Sequence, residues 1–227
     1  LQQWSDIPLT QKRPRRRRPQ RRNLRLANFV AKTRIRIRNF LQFKNLDGMS
    51  FWKILRVLTT NACNYKCVFC HNEGQEKFIG SNTQFLKFDD FKIIIESLAD
   101  TDLKEVQFSG GEPFMNPDTI KMIEWLNENT NLEIGCATNT QFFNDETITA
   151  LSKTRINLHI QFPTYDKVKF KSITKSDLYD SLILNLSKLK KENVSFSLNY
   201  VLLTPNIDDS KHLLPFLYDN TISLKLL

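Results

Sequence analysis

At 227 residues with 41% apolar side chains, the chain can bury one core of ordinary size, and no run of 18 apolar residues offers a membrane span. Its net charge of +9 is segregated: residues 1–48 carry 14 Lys and Arg against 2 Asp and Glu, whereas the rest holds 19 basic and 22 acidic residues. A general attraction of the body to polyanions is therefore excluded, and any basic-partner reading belongs to the N-terminal stretch alone.

Residues 11–22 (QKRPRRRRPQRR) are a polyarginine run broken by prolines, which cannot bury a core and is expected to be disordered. Residues 24–43 are Arg-rich and apolar, without an acid. Three readings compete here. The stretch could bind nucleic acid, through residues 11–38, or an anionic membrane surface. It could resemble an Arg-rich, acid-poor transit peptide. The plainest reading, preferred here, is a solvated extension or translated sequence upstream of Met49, the first methionine. Residues 1–48 are thus read as an extension and 49–227 as the folded body.

From Met49 the pattern becomes regular. Ile54–Leu58 reads as a strand and is followed by a cysteine-rich loop. Asp89 or Asp90 is expected to cap a helix through Leu98, with Phe91, Ile94, Ile95 and Leu98 at helical spacing. Val106–Phe108 reads as a second strand, and 117–129 as a helix opened by Pro117 and Asp118. Leu132–Ala137 is the third strand, 145–153 a helix and Ile156–Phe162 the fourth strand. A long amphipathic helix over 177–192, a strand over Val194–Leu203, a short helix near 208–218 and a strand over Ile222–Leu226 complete the series. Strand–helix alternation up to a sixth strand predicts an α/β fold, a parallel sheet with helices outside. The series stops at the sixth strand, so the core reads as truncated.

Two motifs carry the chemistry. The first is Cys63-Asn-Tyr-Lys-Cys67-Val-Phe-Cys70, which brings three thiolates onto one short loop. A structural zinc site needs a fourth ligand, for which His71, His159 or His212 could serve. An iron–sulfur cubane held by three cysteines instead leaves one iron open to a ligand. Cys136, alone in a strand, reads as packing. One cysteine cluster makes a poor disulfide framework and fits a reducing, cytoplasmic setting. The second motif is Ser109-Gly110-Gly111-Glu112-Pro113, directly after the second strand. The chain has six glycines where average usage of roughly 7% predicts about sixteen. Two adjacent glycines therefore suggest a tight turn or a close approach to a ligand. The cysteine loop, the Gly-Gly loop and Thr138-Asn139 follow three successive strands, so all open at one end of the sheet, where such folds bind ligands. Asn139 and Asn199 lie at or near strand ends, where turn chemistry and substrate contact are both open.

CxxxCxxC after the first strand and a GGE loop after the second resemble the radical S-adenosylmethionine (SAM) superfamily. The resemblance implies an open partial (β/α)6 barrel and two cofactors, a 4Fe–4S cluster and SAM. Cys63, Cys67 and Cys70 would bind three irons, and the fourth would chelate the amino and carboxylate groups of SAM. Reductive cleavage would give a 5′-deoxyadenosyl radical that abstracts hydrogen from a small-molecule or peptide substrate. The electron would come from a donor such as flavodoxin or ferredoxin. Gly110, Gly111 and Glu112, flanked by Ser109 and Pro113, would meet the SAM amino group, and Asn139 would join that site. Phe69 would lie near the adenine, and Gln161 or His159 near the ribose or carboxylate. On this reading Gly111→Val should lose SAM while keeping the cluster.

The likeness is nearest to the GTP cyclase of molybdenum-cofactor biosynthesis and to related peptide- or cofactor-modifying enzymes. It spans roughly residues 52–210, through Leu55-Arg56-Val57, the cysteine loop, His71-Asn-Glu-Gly74, Phe170-Lys-Ser-Ile-Thr174, Leu198-Asn-Tyr-Val201 and Asn206-Ile-Asp-Asp209. Two features depart from that cyclase: no cysteine follows Cys136, and Gln107 stands where it carries arginine. The alternative is an iron–sulfur or zinc protein that binds nucleic acid through its basic arm. The acidic balance of the body and its lack of a basic stripe with interleaved aromatics argue against that.

Overall fold

The computed structural model describes residues 53–70, 76–77, 83–209, 213, 215, 217 and 223–226. The basic stretch at 11–38, the reading of 1–48 as an extension, and both His71 and His212 lie outside the described residues.

Six strands build one sheet: β1 (Ile54–Leu58), β2 (Glu105–Ser109), β3 (Glu133–Thr138), β4 (Ile156–Gln161), β5 (Ser195–Tyr200) and β6 (Ser223–Leu226). They pair in chain order, and every pair is parallel. Among the described residues β1 and β6 do not pair with each other, so the barrel is open. The helices are α1 (Phe88–Ser97), α2 (Thr119–Asn129), α3 (Asp145–Ser152), α4 (Lys167–Thr174) and α5 (Tyr179–Lys191). Parallel neighbours need long crossovers, and helices supply them.

Alternation along the strands sorts the side chains. Val106, Phe108, Ile134, Cys136, Leu158, Ile160, Leu198 and Tyr200 join Phe91, Met122, Leu126, Leu151 and Leu189 of the helices in one buried cluster. Each large apolar side chain buried there contributes about 1.5–3 kcal/mol. The intervening residues face the other side, the lumen of the partial barrel. Register sets them in rows. Ile54, Glu105 and Glu133 form the lowest, Arg56, Gln107, Gly135 and Asn157 the next, Ala137, His159, Ser197 and Ser223 the one after, and Gln161, Asn199 and Lys225 the row at the carboxyl ends. The lumen wall is thus polar from β2 to β6, and β3 presents only the small residues Gly135 and Ala137, the first lying under the Gln107 amide.

Several boundaries differ from the expected ones. Lys87, not Asp89 or Asp90, is the N-cap of α1, and both acids sit in its first turn, where they favour the helix dipole. Asp118 is the N-cap of α2 but makes no cap of its own; its carboxylate accepts from Phe88 N of α1 at 3.1 Å. The segment 167–174, to which the sequence pattern assigned no element, is α4, capped by Asp166, whose Oδ1 accepts from Val168 N and Lys169 N. The fifth strand ends at Tyr200, and a 3-10 turn over Thr204–Asp209 follows.

That turn is latched by Asn206, which is fully buried. Its Nδ2 donates to Pro163 O at 2.7 Å and Val201 O at 2.8 Å, and its Oδ1 accepts from Leu203 N at 2.7 Å. One side chain therefore joins the loops after β4 and β5. Asn206→Ala would strand two carbonyls and one N–H, each costing roughly 1–3 kcal/mol when buried. Urea unfolding should show a loss of at least about 2 kcal/mol; an unchanged midpoint would contradict the latch.

Candidate metal and cofactor site

Beyond their last paired residues β1 and β2 stay zipped together as backbone. Thr59 N donates to Ser109 O at 3.0 Å, Gly111 N to Thr60 O at 2.9 Å and Glu112 N to Ala62 O at 2.7 Å. Two main chains running this close leave no room for a Cβ. Gly110 has φ of 131°, a conformation that other residues rarely adopt, and a side chain there would collide with Thr60 O. A Cβ on Gly111 would collide with Ala62 O and crowd Cys63 N. The close approach expected of this pair is thus toward the cysteine loop. Gly111→Val would press directly on the segment that carries Cys63 and so disturb the cysteine loop as well.

Glu112 follows, and its carboxylate is turned inward and buried. Its Oε1 accepts from Thr138 Oγ1 at 2.7 Å and from Phe114 N at 3.2 Å, while Oε2 accepts from Asn139 N at 2.7 Å. Burial pushes its pKa up to about 7, against the pull of those three donors. Pro113, also buried, opens the 3-10 turn Pro113–Met115, and its carbonyl accepts from Thr119 Oγ1 at 2.6 Å.

Asn139 completes the junction. Its Nδ2 donates to Asn64 Oδ1 at 2.7 Å, joining the loop after β3 to the cysteine loop. Next to it Thr140 has φ of 65°, a left-handed conformation that costs a β-branched residue of order 1–3 kcal/mol. It is held there by its N–H on Thr138 Oγ1 at 2.9 Å and by Asn185 Nδ2 on its carbonyl at 2.8 Å. The turn aims Asn139 N at Glu112. Thr138 stands at the ligand end where the sequence placed it, whereas Thr140, Asn64 and Asn185 were not singled out. The strained turn leaves no trace in sequence, because the residue in it is not glycine.

The cysteine loop is pinned on its other side by α4. Lys66 N donates to Thr174 O and Val68 N to Ile173 O, both at 2.9 Å. Tyr65 is buried with its ring edge-on to Phe170, centroids 5.8 Å apart, and its N–H lies 3.4 Å from Cys63 Sγ. These contacts were also missed, although Asp166 followed by Phe170 and Ile173 is a readable cap and helical face. Cys63 and Cys67 are half-buried and Cys70 is exposed. Burial raises the Cys63 thiol to about 11 and the Cys67 thiol to about 12, with added repulsion from Glu112 and Cys70 on Cys63 and from Cys63 and Cys70 on Cys67. The three sulfurs therefore lie within electrostatic reach of each other.

Among the described residues no three His, Cys, Asp or Glu side chains are arranged to hold a single metal ion. His159, the described candidate for a fourth zinc ligand, is engaged elsewhere in the lumen. A cubane accepts thiolates set further apart than one ion does. Three soft donors on one loop, with no acid among them, fit it. Because the raised Cys63 and Cys67 thiols hold their protons, binding would release those two protons.

The other expected site residues fall as follows. Phe69 is half-buried beside Cys70. Ser109 closes β2 and accepts from Thr59. Gln161 lies in the upper lumen row with its Nε2 3.3 Å from Asn199 O. Cys136 is buried in the core with its thiol pKa raised by burial, as packing requires.

Two variants test the junction. Gly111→Val should lower iron loading as well as SAM binding; full loading would show that the loop yields without moving Cys63. Glu112→Gln must point its amide at one of three donors, at a cost of roughly 1–3 kcal/mol. Glu112 also fixes a pH dependence. Its folded pKa, about 7, exceeds its ordinary 4.5, so the folded chain holds the proton more tightly. Its contribution to stability is complete below about pH 4.5, falls as pH rises to 7 and is level above. The slope between those values should flatten in Glu112→Gln, and an unchanged slope would contradict the assignment.

Residues 57–217 match the family model described as Radical SAM superfamily. The GTP 3',8-cyclase of Clostridium perfringens (strain SM101 / Type A) is 26% identical over 175 residues, 76% of this chain and 54% of that protein. The probable GTP 3',8-cyclase of Pyrococcus abyssi is 29% identical over 157 residues, 68% of this chain and 49% of its own. The chain thus spans about half the length of the curated relatives it matches. In fold it resembles Streptococcus suis SuiB bound to S-adenosylmethionine, with TM-score 0.71 and 20% identity, over 82% of this chain and 42% of that one. SuiB bound to the precursor peptide SuiA gives TM-score 0.70 at 19% identity, over 98% and 47%. The fold, the loop junction and the family match agree: the chain belongs to the radical SAM superfamily, whose members bind a 4Fe–4S cluster and SAM.

Proposed function

We propose that this chain is the core of a radical SAM enzyme acting on a polar small molecule or peptide held in the lumen. Cys63, Cys67 and Cys70 would hold the cluster, and the main chain of Gly110 and Gly111, with Phe69, Asn139 and Gln161, would line the SAM site. When bound, these cofactors supply one-electron chemistry that makes SAM a source of hydrogen abstraction. The chain's own residues do the positioning. Glu112 holds the Gly-Gly loop against the cysteine loop, Asn139 ties in the third, and α4 fixes the cysteine loop from outside. The lumen below supplies polar groups to orient a substrate.

The junction of Glu112 with Thr138 and Asn139 carries this reading, since it fuses the cluster loop and the cofactor loop into one body. The substrate class is drawn from two sides. The sequence relatives are GTP cyclases, and a fold neighbour is seen with a precursor peptide; both substrates are polar, as the lumen is. No described helix is long and apolar enough to cross a membrane.

Anaerobic reconstitution of the full chain should load about four irons and four sulfides, the content of one cubane. Cys63→Ala, Cys67→Ala or Cys70→Ala should abolish loading, and Cys136→Ala should not. On reduction the loaded chain should release 5′-deoxyadenosine from SAM. Stoichiometric zinc without iron would overturn the proposal.

A further inference from the structure

Gln107 projects from β2 into the lumen and lies across Gly135 of β3, where any Cβ would collide with its amide. From there its Nε2 donates to Glu105 Oε1 and stands 3.3 Å from His159 Nε2 on β4. His159 Nδ1 is in turn 3.0 Å from Ser197 Oγ on β5. A continuous polar row therefore crosses the sheet from β2 to β5.

Glu105 fixes the direction of every bond in that row. A carboxylate only accepts, so the Gln107 atom that meets it is the amide nitrogen; the carbonyl oxygen there would face it in repulsion. An amide nitrogen only donates, so His159 Nε2 must accept and the ring proton sits on Nδ1. Nδ1–H then donates to Ser197 Oγ. The Ser197 hydroxyl hydrogen is left over, with no acceptor for it among the described residues. Burial lowers the His159 pKa, the Lys225 charge adds to the effect and Glu105 opposes it, so the neutral ring agrees with these directions. Both ring nitrogens are occupied, and what the row offers the lumen is the serine.

We infer that the Glu105–Gln107–His159 row presents the Ser197 hydroxyl as a hydrogen-bond donor to a carboxylate oxygen of the substrate, with Lys225 supplying the countercharge. Lys225 pairs in register with Asn199, one row nearer the carboxyl ends, and is exposed to the lumen side. Ser197 lies one row deeper than Gln161, below the level assigned to SAM, so the oxygen it meets belongs to the substrate. The inference deepens the proposed function and rests on the lumen as substrate chamber.

The tautomer tests the row without substrate or cluster. In the full chain labelled with 15N-histidine, long-range proton–nitrogen correlation at pH 7 should find His159 neutral with its proton on Nδ1. The signal is assigned by its loss in His159→Phe. Gln107→Leu should shift the ring toward the Nε2–H form. Sodium acetate, the carboxylate probe, should move the His159 Nδ1 resonance saturably. Ser197→Ala should weaken that response about tenfold or more, the loss of a hydrogen bond to a charged group, and Lys225→Met should weaken it too. An Nε2–H ring in the parent chain would overturn the row. A missing acetate response, or one unchanged in Ser197→Ala, would overturn the carboxylate assignment. Iron loading and SAM cleavage report separately on the proposed function, so the two can fail independently.

Discussion

The buried carboxylate of Glu112 is the constraint on which the rest of the site depends. A carboxylate out of water is tolerated only when its oxygens are hydrogen-bonded. Here the donors come from three places: the Phe114 N–H of its own turn, the Thr138 hydroxyl at the end of β3 and the Asn139 N–H beyond it. Bonds to a charged acceptor contribute about 1.5–3 kcal/mol each, enough to offset desolvation without removing it, and the pKa near 7 expresses that balance. Moving either the Gly-Gly loop or the loop after β3 would leave a buried charge short of a partner. The two loops therefore stand or fall together, and Asn139 Nδ2 on Asn64 Oδ1 and Glu112 N on Ala62 O tie the cysteine loop to them. A centre that must hold a cluster and a second cofactor in register benefits from that rigidity.

The glycine pair and the strained Thr140 follow from the same demand. Glu112 reaches Thr138 and Asn139 only if its loop lies flush against Thr60–Ala62, which removes the space for side chains at 110 and 111. Asn139 N points at Glu112 only if the next residue turns left-handed. The strain at Thr140 is offset by the bonds to Thr138 and Asn185. Below the junction the lumen is built differently, from strand register rather than loops. Its polar row depends on Gly135 leaving β3 bare beneath Gln107.

Much of this was legible in sequence, for identifiable reasons. The strands announced themselves as short apolar runs, and Ile54–Leu58 falls where the pattern placed it. The cysteine spacing and the rare glycine pair identified the two loops because both are local signals. Other features depend on what lies across the fold. Asp118 looks like the cap of its own helix, yet its carboxylate serves α1, thirty residues earlier in the chain. Segment 167–174 is short and lysine-rich and carries a weak helical signal, although its last carbonyls hold the cysteine loop. The inward turn of Glu112 and the facing of His159 follow from tertiary packing and register, which no local pattern states.

The most direct test is electron paramagnetic resonance of the reconstituted, reduced full chain with and without SAM. If the cysteine and Gly-Gly loops form one site, the reduced chain gives the signal of a single 4Fe–4S cluster, and SAM changes its g-values. Glu112→Gln should then blunt the change even when iron is matched. An iron-loaded chain whose signal is indifferent to SAM would contradict the central claim that the two loops form a single cofactor site.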